Sequence, residues 1–202
     1  MSKGARVTRA AQKERTRQTL LAVSRRLFAA KGYAAVGLAE IVRESGVTKG
    51  ALYHHFEGKT ALFLAVLEQV QREVADRVVA AAEAADTPWD RLKAGCAAFV
   101  EASADPEVRR IMLIDGPAVL GWSEWRAIDA ATSAAHLAEA LSEVLASGAI
   151  PAQPVAPLTR LLSGAMNEAA LWLAESTGPD DLKDTLAALS HLLDGLRHHE
   201  PA

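Results

Sequence analysis

Between Thr48 and Lys59 the sequence sets six side chains that donate hydrogen bonds or carry positive charge: Thr48, Lys49, Tyr53, His54, His55 and Lys59. They surround Gly50 and Ala51, which have almost no side chain. Hydroxyls, ammonium groups and imidazoles hold phosphate oxygens and base edges, and small residues let a backbone sink close to a surface. Val47, Leu52 and Phe56 fall where a short helix turns inward, so the polar set faces out. The chemistry this permits is recognition: a slim helix with a donor-rich flank fits a DNA major groove.

Catalysis has no comparable set of residues. His54 and His55 are adjacent and cannot share one helix face, and His198 and His199 stand at the end of the chain. GxSxG, Walker A and G-x-G-x-x-G patterns are absent, and Asp180-Asp181 reads as a helix start. The single cysteine, Cys96, lies among Ala94, Ala97, Ala98 and Phe99 and reads as a packed core thiol. It excludes an intramolecular disulfide and a multi-cysteine metal site, and it fits a reducing compartment. No enzyme activity, cofactor or metal is expected.

The elements that position the donors follow from spacing. Leu38, Ile41 and Val42 predict a short helix from near Gly37, and Gly46 after Ser45 supplies the positive φ that ends it. Thr48 then caps the second short helix. Gln12 to Ala30 predicts a first helix, with Leu20, Val23, Leu27 and Phe28 inside, ending at Lys31-Gly32. Tyr33 packs the corner. Met1 to Ala11 reads as a flexible basic arm, which either touches phosphate or the minor groove or has no role.

Charge points to the same end of the molecule. Residues 1–57 hold eleven Lys/Arg against four Asp/Glu, a balance of +7, which leaves −10 for the rest of a chain whose net charge is −3. A cationic end on an acidic body presents that end to a polyanion. The basic opening carries no tryptophan or phenylalanine to enter a headgroup layer, and no long apolar run follows it, so no membrane partner, signal peptide or transmembrane helix is expected. The expected location is cytoplasmic.

Gly46-Val47-Thr48-Lys49-Gly50-Ala51-Leu52-Tyr53-His54-His55-Phe56, followed by Lys59 and Leu62, resembles the signature of the TetR family of bacterial transcriptional regulators. The resemblance runs from about residue 12 to about 70. It implies an all-α chain: an N-terminal three-helix helix-turn-helix DNA-binding domain (12–58), joined by a long helix to a C-terminal helical ligand-binding and dimerisation domain (59–202). By this resemblance Thr48, Lys49, Tyr53, His55 and Lys59 hold phosphates, while Lys49, Gly50, Ala51 and His54 lie nearest base edges. The sequence departs from the family at Val36 and Gly37, where relatives often carry threonine or serine. Gly37 caps the helix acceptably and offers free N–H groups to phosphate, but no hydroxyl. Ala39 supplies no long donor.

Half the residues are apolar, and few prolines interrupt them, so the remainder also reads as helical. A long helix is expected over 59–85, then helices over 88–103, 106–113, 122–147, 158–176 and 180–198. Thr87-Pro88 and Asp105-Pro106 mark two starts, and Gly116-Pro117, Gly121, Gly148 to Pro157 and Gly178-Pro179 mark breaks. The last two helices are apolar on more than one stripe. With the resemblance, this implies a homodimer through residues about 158–198, reading a palindromic operator.

A small-molecule effector is implied in the same way. Phe99, Met112, Trp122, Trp125, Met166 and Trp172 offer apolar walls, and Asp115, Arg126, His136, Asn167 and Glu168 offer polar anchors. Glu168 falls at the edge of an apolar stripe and would need a buried partner there. The reading is a repressor released by its ligand. The alternative is an architectural DNA-binding protein, or an activator, without a small-molecule inducer.

Overall fold

A run of helix formers without proline carries the first helix further than expected. In the computed structural model, which describes residues 3–197 and side chains from Thr8, α1 spans Lys3–Lys31. The opening stretch, expected as a flexible arm, is thus helical from Lys3: alanine, arginine and lysine dominate it, and Gly4 alone is not enough to stop a helix. Met1 and Ser2 lie outside the described residues.

α1 ends where Gly32, at φ 77°, turns the chain. α2 (Leu38–Ser45) and α3 (Lys49–His55) follow, with α1 packing on both and α2 on α3. Between them Gly46 takes φ 66°, the left-handed conformation that a side chain resists. Leu20, Phe28, Ile41 and Leu52 are fully buried. Burial of such side chains stabilises by about 2 kcal/mol each. The rings of Phe28, Tyr33 and Phe63 close the corner, with centroids 5.1 to 5.8 Å apart.

α4 (Lys59–Glu83) begins in this first unit, Met1–Gln69, and ends in the second, Val70–Ala202. The division therefore falls inside α4 rather than at its start. In the second unit α5 (Pro88–Ala104) is the central element, packing on the three later helices α9 (Ser133–Ala146), α10 (Val155–Glu175) and α11 (Asp181–Asp194). Lys93 of α5 bonds both carboxylate oxygens of Asp194 at 3.0 Å, tying α5 to α11. Both expected caps form: Thr87 Oγ1 accepts from the Asp90 amide at 3.1 Å, and Asp105 Oδ1 accepts from Glu107 and Val108 at 2.9 and 3.1 Å.

Several stretches differ from the spacing-based expectation. The chain does not break at Gly116-Pro117. α6 (Pro106–Arg109) runs into a π-helical turn, Arg110–Asp115, and then α7 (Gly116–Leu120). The Gly116 amide donates to Ile111 across this widened turn, which leaves room for the Pro117 ring to follow. The helix expected over 122–147 is two helices, α8 (Trp122–Ala130) and α9. Thr132 separates them, its hydroxyl donating to the carbonyls of Ile128 and Asp129 at 3.0 and 3.3 Å in place of further helix. α10 also begins three residues early, because Pro157 sits in its first turn where no intrahelical N–H is needed. Among the described residues there is no strand, and no helix is long and apolar enough to cross a membrane.

Candidate nucleic-acid interface and ligand cavity

Leu52 and Phe56 anchor α3, and everything else on it is at least partly open. Thr48, Lys49, Gly50, Tyr53 and His54 are exposed, while Ala51, His55 and Lys59 are half-buried. Thr48 Oγ1 accepts the Ala51 amide at 3.2 Å, so the cap is made and its O–H hydrogen is left to donate outward. Lys49 Nζ lies 6.0 Å from the centre of the Tyr53 ring, at the outer limit of a cation–π contact. Gly37 caps α2 in extended conformation without a side-chain bond, as its type requires.

The positive character of α3 is extended by α1. Arg17 places its guanidinium 5.5 Å from the centre of the Phe56 ring. His55 is held below the usual imidazole range, first by burial and then by His54, Lys13 and Arg17, with Glu14 opposing. These influences favour the neutral imidazole, which donates from one ring nitrogen only. Lys59 is placed by a residue that the spacing assigned only to packing: its Nζ stands 4.0 Å from the centre of the Tyr33 ring. The Tyr33 hydroxyl meets Thr60 Oγ1 at 3.0 Å. The signal for this was the ring-bearing corner just after α1, which served two purposes at once.

The second unit holds a partly open cavity of about 470 Å³, a size suited to a small molecule. α4 lines it with Val78, Val79 and Ala82, and α5 with Leu92, Cys96 and Phe99. Leu137, Ser163 and Met166 complete its far walls, and Asp129 reaches it from the end of α8. Cys96 is buried, which pushes its thiol up to about 12 and makes it a poor nucleophile, as a packed thiol should be.

Of the eleven ligand candidates, Phe99, His136 and Met166 line this cavity. The other eight stand elsewhere. The Met112 carbonyl accepts the Trp125 indole N–H at 2.8 Å, so both serve the core. Asp115 pairs with Arg110 at 3.7 Å. Trp122 is exposed and lies 5.1 Å from Trp125, and Arg126 lies 5.3 and 5.8 Å from the two ring centres. Asn167 is buried with its Oδ1 unbonded, away from the cavity wall. Glu168 and Trp172 face solvent, so Glu168 needs no buried partner. Spacing missed Asp129, Ser163 and the α4 residues because cavity and core walls share the same apolar composition.

Comparison with known proteins agrees with this geometry. Residues 20–66 match the family model described as bacterial regulatory proteins, tetR family, and residues 89–196 match that of the tetracyclin repressor-like C-terminal domain. The chain is similar to the transposon Tn10 TetC protein of Escherichia coli, 28% identical over 74% of this chain and 75% of that protein. It is 42% identical to the transcriptional activator FasR of Mycolicibacterium smegmatis over 44% of this chain and 40% of FasR. The crystal structure of a TetR-family transcriptional regulator from Pectobacterium atrosepticum superposes with a TM-score of 0.75 at 34% identity, covering 95% of this chain and 98% of that one. With one model on the helix-turn-helix, another spanning over half the chain and a full-length structural match, the chain belongs to the TetR family of helix-turn-helix transcriptional regulators, which are DNA-binding proteins and not enzymes.

Proposed function

We propose that the chain is a homodimeric repressor that leaves a palindromic operator when a small molecule fills the cavity of its second unit. The observation that carries this reading is the double duty of α4, which bears Lys59 in its first turn and gives Val78, Val79 and Ala82 to the cavity wall. Whatever fills the cavity touches the same helix that starts with a phosphate-binding candidate. Thr48, Lys49, Tyr53, His55 and Lys59 are the proposed phosphate contacts. Lys49, Gly50, Ala51 and His54 face the bases, and Ala51 suits a thymine methyl. The free N–H groups at Gly37 offer one further phosphate site.

The dimer is supported by apolar residues that the chain leaves uncovered. Leu161 and Trp172 on α10 are 71% and 51% exposed, and Leu192 on α11 is 53% exposed. A second copy covering this face gives an isologous interface, and two α3 helices then read half-sites about 34–36 Å apart or a multiple of that. The proposed location is cytoplasmic, where operator and dimer meet.

An effector acts only through unequal affinity for the two states. Moving the population from mostly bound to mostly released takes roughly 10⁴-fold tighter binding to the DNA-incompetent form. Selection of duplexes by the purified chain, followed by anisotropy titration and sedimentation, tests the reading. Two chains per palindrome, and release by a cavity ligand, are expected. A monomer indifferent to palindromes overturns it. The similarity to an activator, FasR, keeps activation as a second reading, which a reporter gene behind the selected operator decides.

A further inference from the structure

The cavity has an apolar body and an acidic mouth. Four carboxylates line it, Glu83, Asp129, Glu139 and Glu143, against one arginine, Arg91, and one imidazole, His136. With histidine neutral the lining balance is −3. Neither basic group is idle: Arg91 Nε donates to the Ala85 carbonyl at 3.1 Å, and His136 Nδ1 lies 3.6 Å from Glu139.

Asp129 differs from the other three acids. They are exposed, while Asp129 is 7% exposed. It sits in the last turn of α8, where the helix dipole works against a negative charge. Burial raises its carboxyl above the ordinary range, with Arg126 and Ser163 opposing. Both hydrogen bonds it receives fall on Oδ2, from Arg126 Nη1 at 3.3 Å and Ser163 Oγ at 3.4 Å, and both are long. Oδ1 receives none. Arg126 is also held over the rings of Trp122 and Trp125. Arg126 thus already pairs Oδ2 as a long ion pair, but Oδ1, in the wall of an open space, is left half-satisfied, and a buried carboxylate so placed gains from a second positive partner.

The geometry points to a cationic amphipathic organic molecule as the ligand of this cavity, with its apolar body against Phe99 and Met166 and its charge at Asp129. This rests on the effector reading of the cavity given above and adds the class of molecule. An anion entering the same mouth meets the −3 lining, and a neutral molecule leaves Asp129 as it stands.

Calorimetric titration of the full chain tests this with three molecules sharing a triphenyl body: the cation methyltriphenylphosphonium, its neutral near-isostere triphenylphosphine oxide, and the anion triphenylacetate. The anion is run in competition with the phosphonium, so that only cavity binding counts. The phosphonium is expected to bind at least tenfold more tightly than the other two. Asp129→Asn should weaken it about tenfold, and Glu143→Gln, at the exposed mouth, about two- to threefold. Should Asp129→Asn fail to fold, Glu143→Gln and the charge series decide. Equal binding of the neutral or anionic molecule, an unchanged affinity in a folded Asp129→Asn chain, or no binding of any of the three overturns the inference. An operator mobility shift separates it from the effector reading. Phosphonium binding without DNA release rejects the effector role and upholds the ligand class. Release by triphenylacetate instead keeps the effector role and rejects the class.

Discussion

The Lys59 ammonium stands 4.0 Å from the centre of the Tyr33 ring, and the Tyr33 hydroxyl is fixed 3.0 Å from Thr60 Oγ1 on the next residue. A free lysine loses about 2 kcal/mol of rotamer entropy when it is immobilised, and a ring beneath it removes part of that loss before any phosphate arrives. Lys59→Ala should therefore weaken DNA binding about equally at all sequences and lower the slope of log affinity against log salt by about 1. Tyr33→Leu removes the ring and keeps the charge, so affinity should fall while the slope stays. Tyr53→Phe should weaken binding without changing sequence preference. Anisotropy titrations at several salt concentrations measure all three, and a slope lowered equally by Tyr33→Leu would contradict this division.

The helix-turn-helix was legible in the sequence because every signal in it is local. Gly46, Thr48, Leu52 and Phe56 lie within one short stretch, and the structure gives each the conformation or burial that its type demands. The cavity was not legible, because its walls come from α4, α5, α8, α9 and α10 and depend on how these pack. Size and aromaticity singled out Trp122 and Trp172, yet exposure rather than cavity lining is what packing gave them. Asp129 carried only a faint signal, an acid where a helix end disfavours one, and it was hidden further because Thr132 ends α8 in what reads as one continuous helix.

Gly37 is a place where the sequence can be improved. A Cβ built there meets nothing within 4 Å, and the residue already has the extended conformation of an N-cap. Gly37→Ser should stabilise the chain by about 0.5 kcal/mol, raising Tm by about 1–2 °C in calorimetry. The added hydroxyl also supplies a side-chain donor at the start of α2, so DNA affinity should rise or stay level. A fall in Tm would mean that the cap geometry is not available to a side chain.

Gly46 and Gly116 resist substitution for opposite reasons. Gly46 has open space but φ 66°, so Gly46→Ala costs about 1–2 kcal/mol from backbone alone, and Gly46→Asn should cost less. Gly116 has an ordinary helical backbone, but a Cβ there would stand 2.9 Å from Trp125 Cδ1 and 3.1 Å from Nε1. Gly116→Ala should therefore cost about 1–3 kcal/mol by overpacking, and should perturb tryptophan fluorescence, which Gly46→Ala leaves alone. Urea unfolding followed at the tryptophans distinguishes the two mechanisms.

Leu161 and Trp172 are eleven residues apart on α10, three helical turns, and so share one exposed stripe. Trp172→Glu places a charge where a second copy would bury an indole. If the stripe is the dimer interface, truncating such an anchor costs about 2–4 kcal/mol, or roughly 30- to 1000-fold in the dimer dissociation constant. Sedimentation should show monomer at concentrations where the parent chain is dimeric. Palindrome affinity should fall with it, and affinity for an isolated half-site should not. A dimer unmoved by Trp172→Glu and Leu161→Glu together would place the interface elsewhere.

His55 gives a pH response whose sign depends on whether DNA is present. Burial, His54, Lys13 and Arg17 lower its pKa in the free chain, against the opposing pull of Glu14. The unfolded chain, with its imidazole near 6.5, therefore takes up the proton first, and this contribution to stability is complete above that pH and is lost as pH falls through 6.5 toward the lower folded value. Bound DNA reverses the electrostatics, because a phosphate at His55 favours the imidazolium and raises its pKa above that of the free chain. Affinity should then increase on acidification over the range where stability declines. Thermal melts and anisotropy titrations from pH 7.5 to 5.5, comparing the parent chain with His55→Gln, isolate the contribution from the other histidines. Parallel affinity curves for the two chains would remove His55 from the phosphate contacts while leaving its packing role intact.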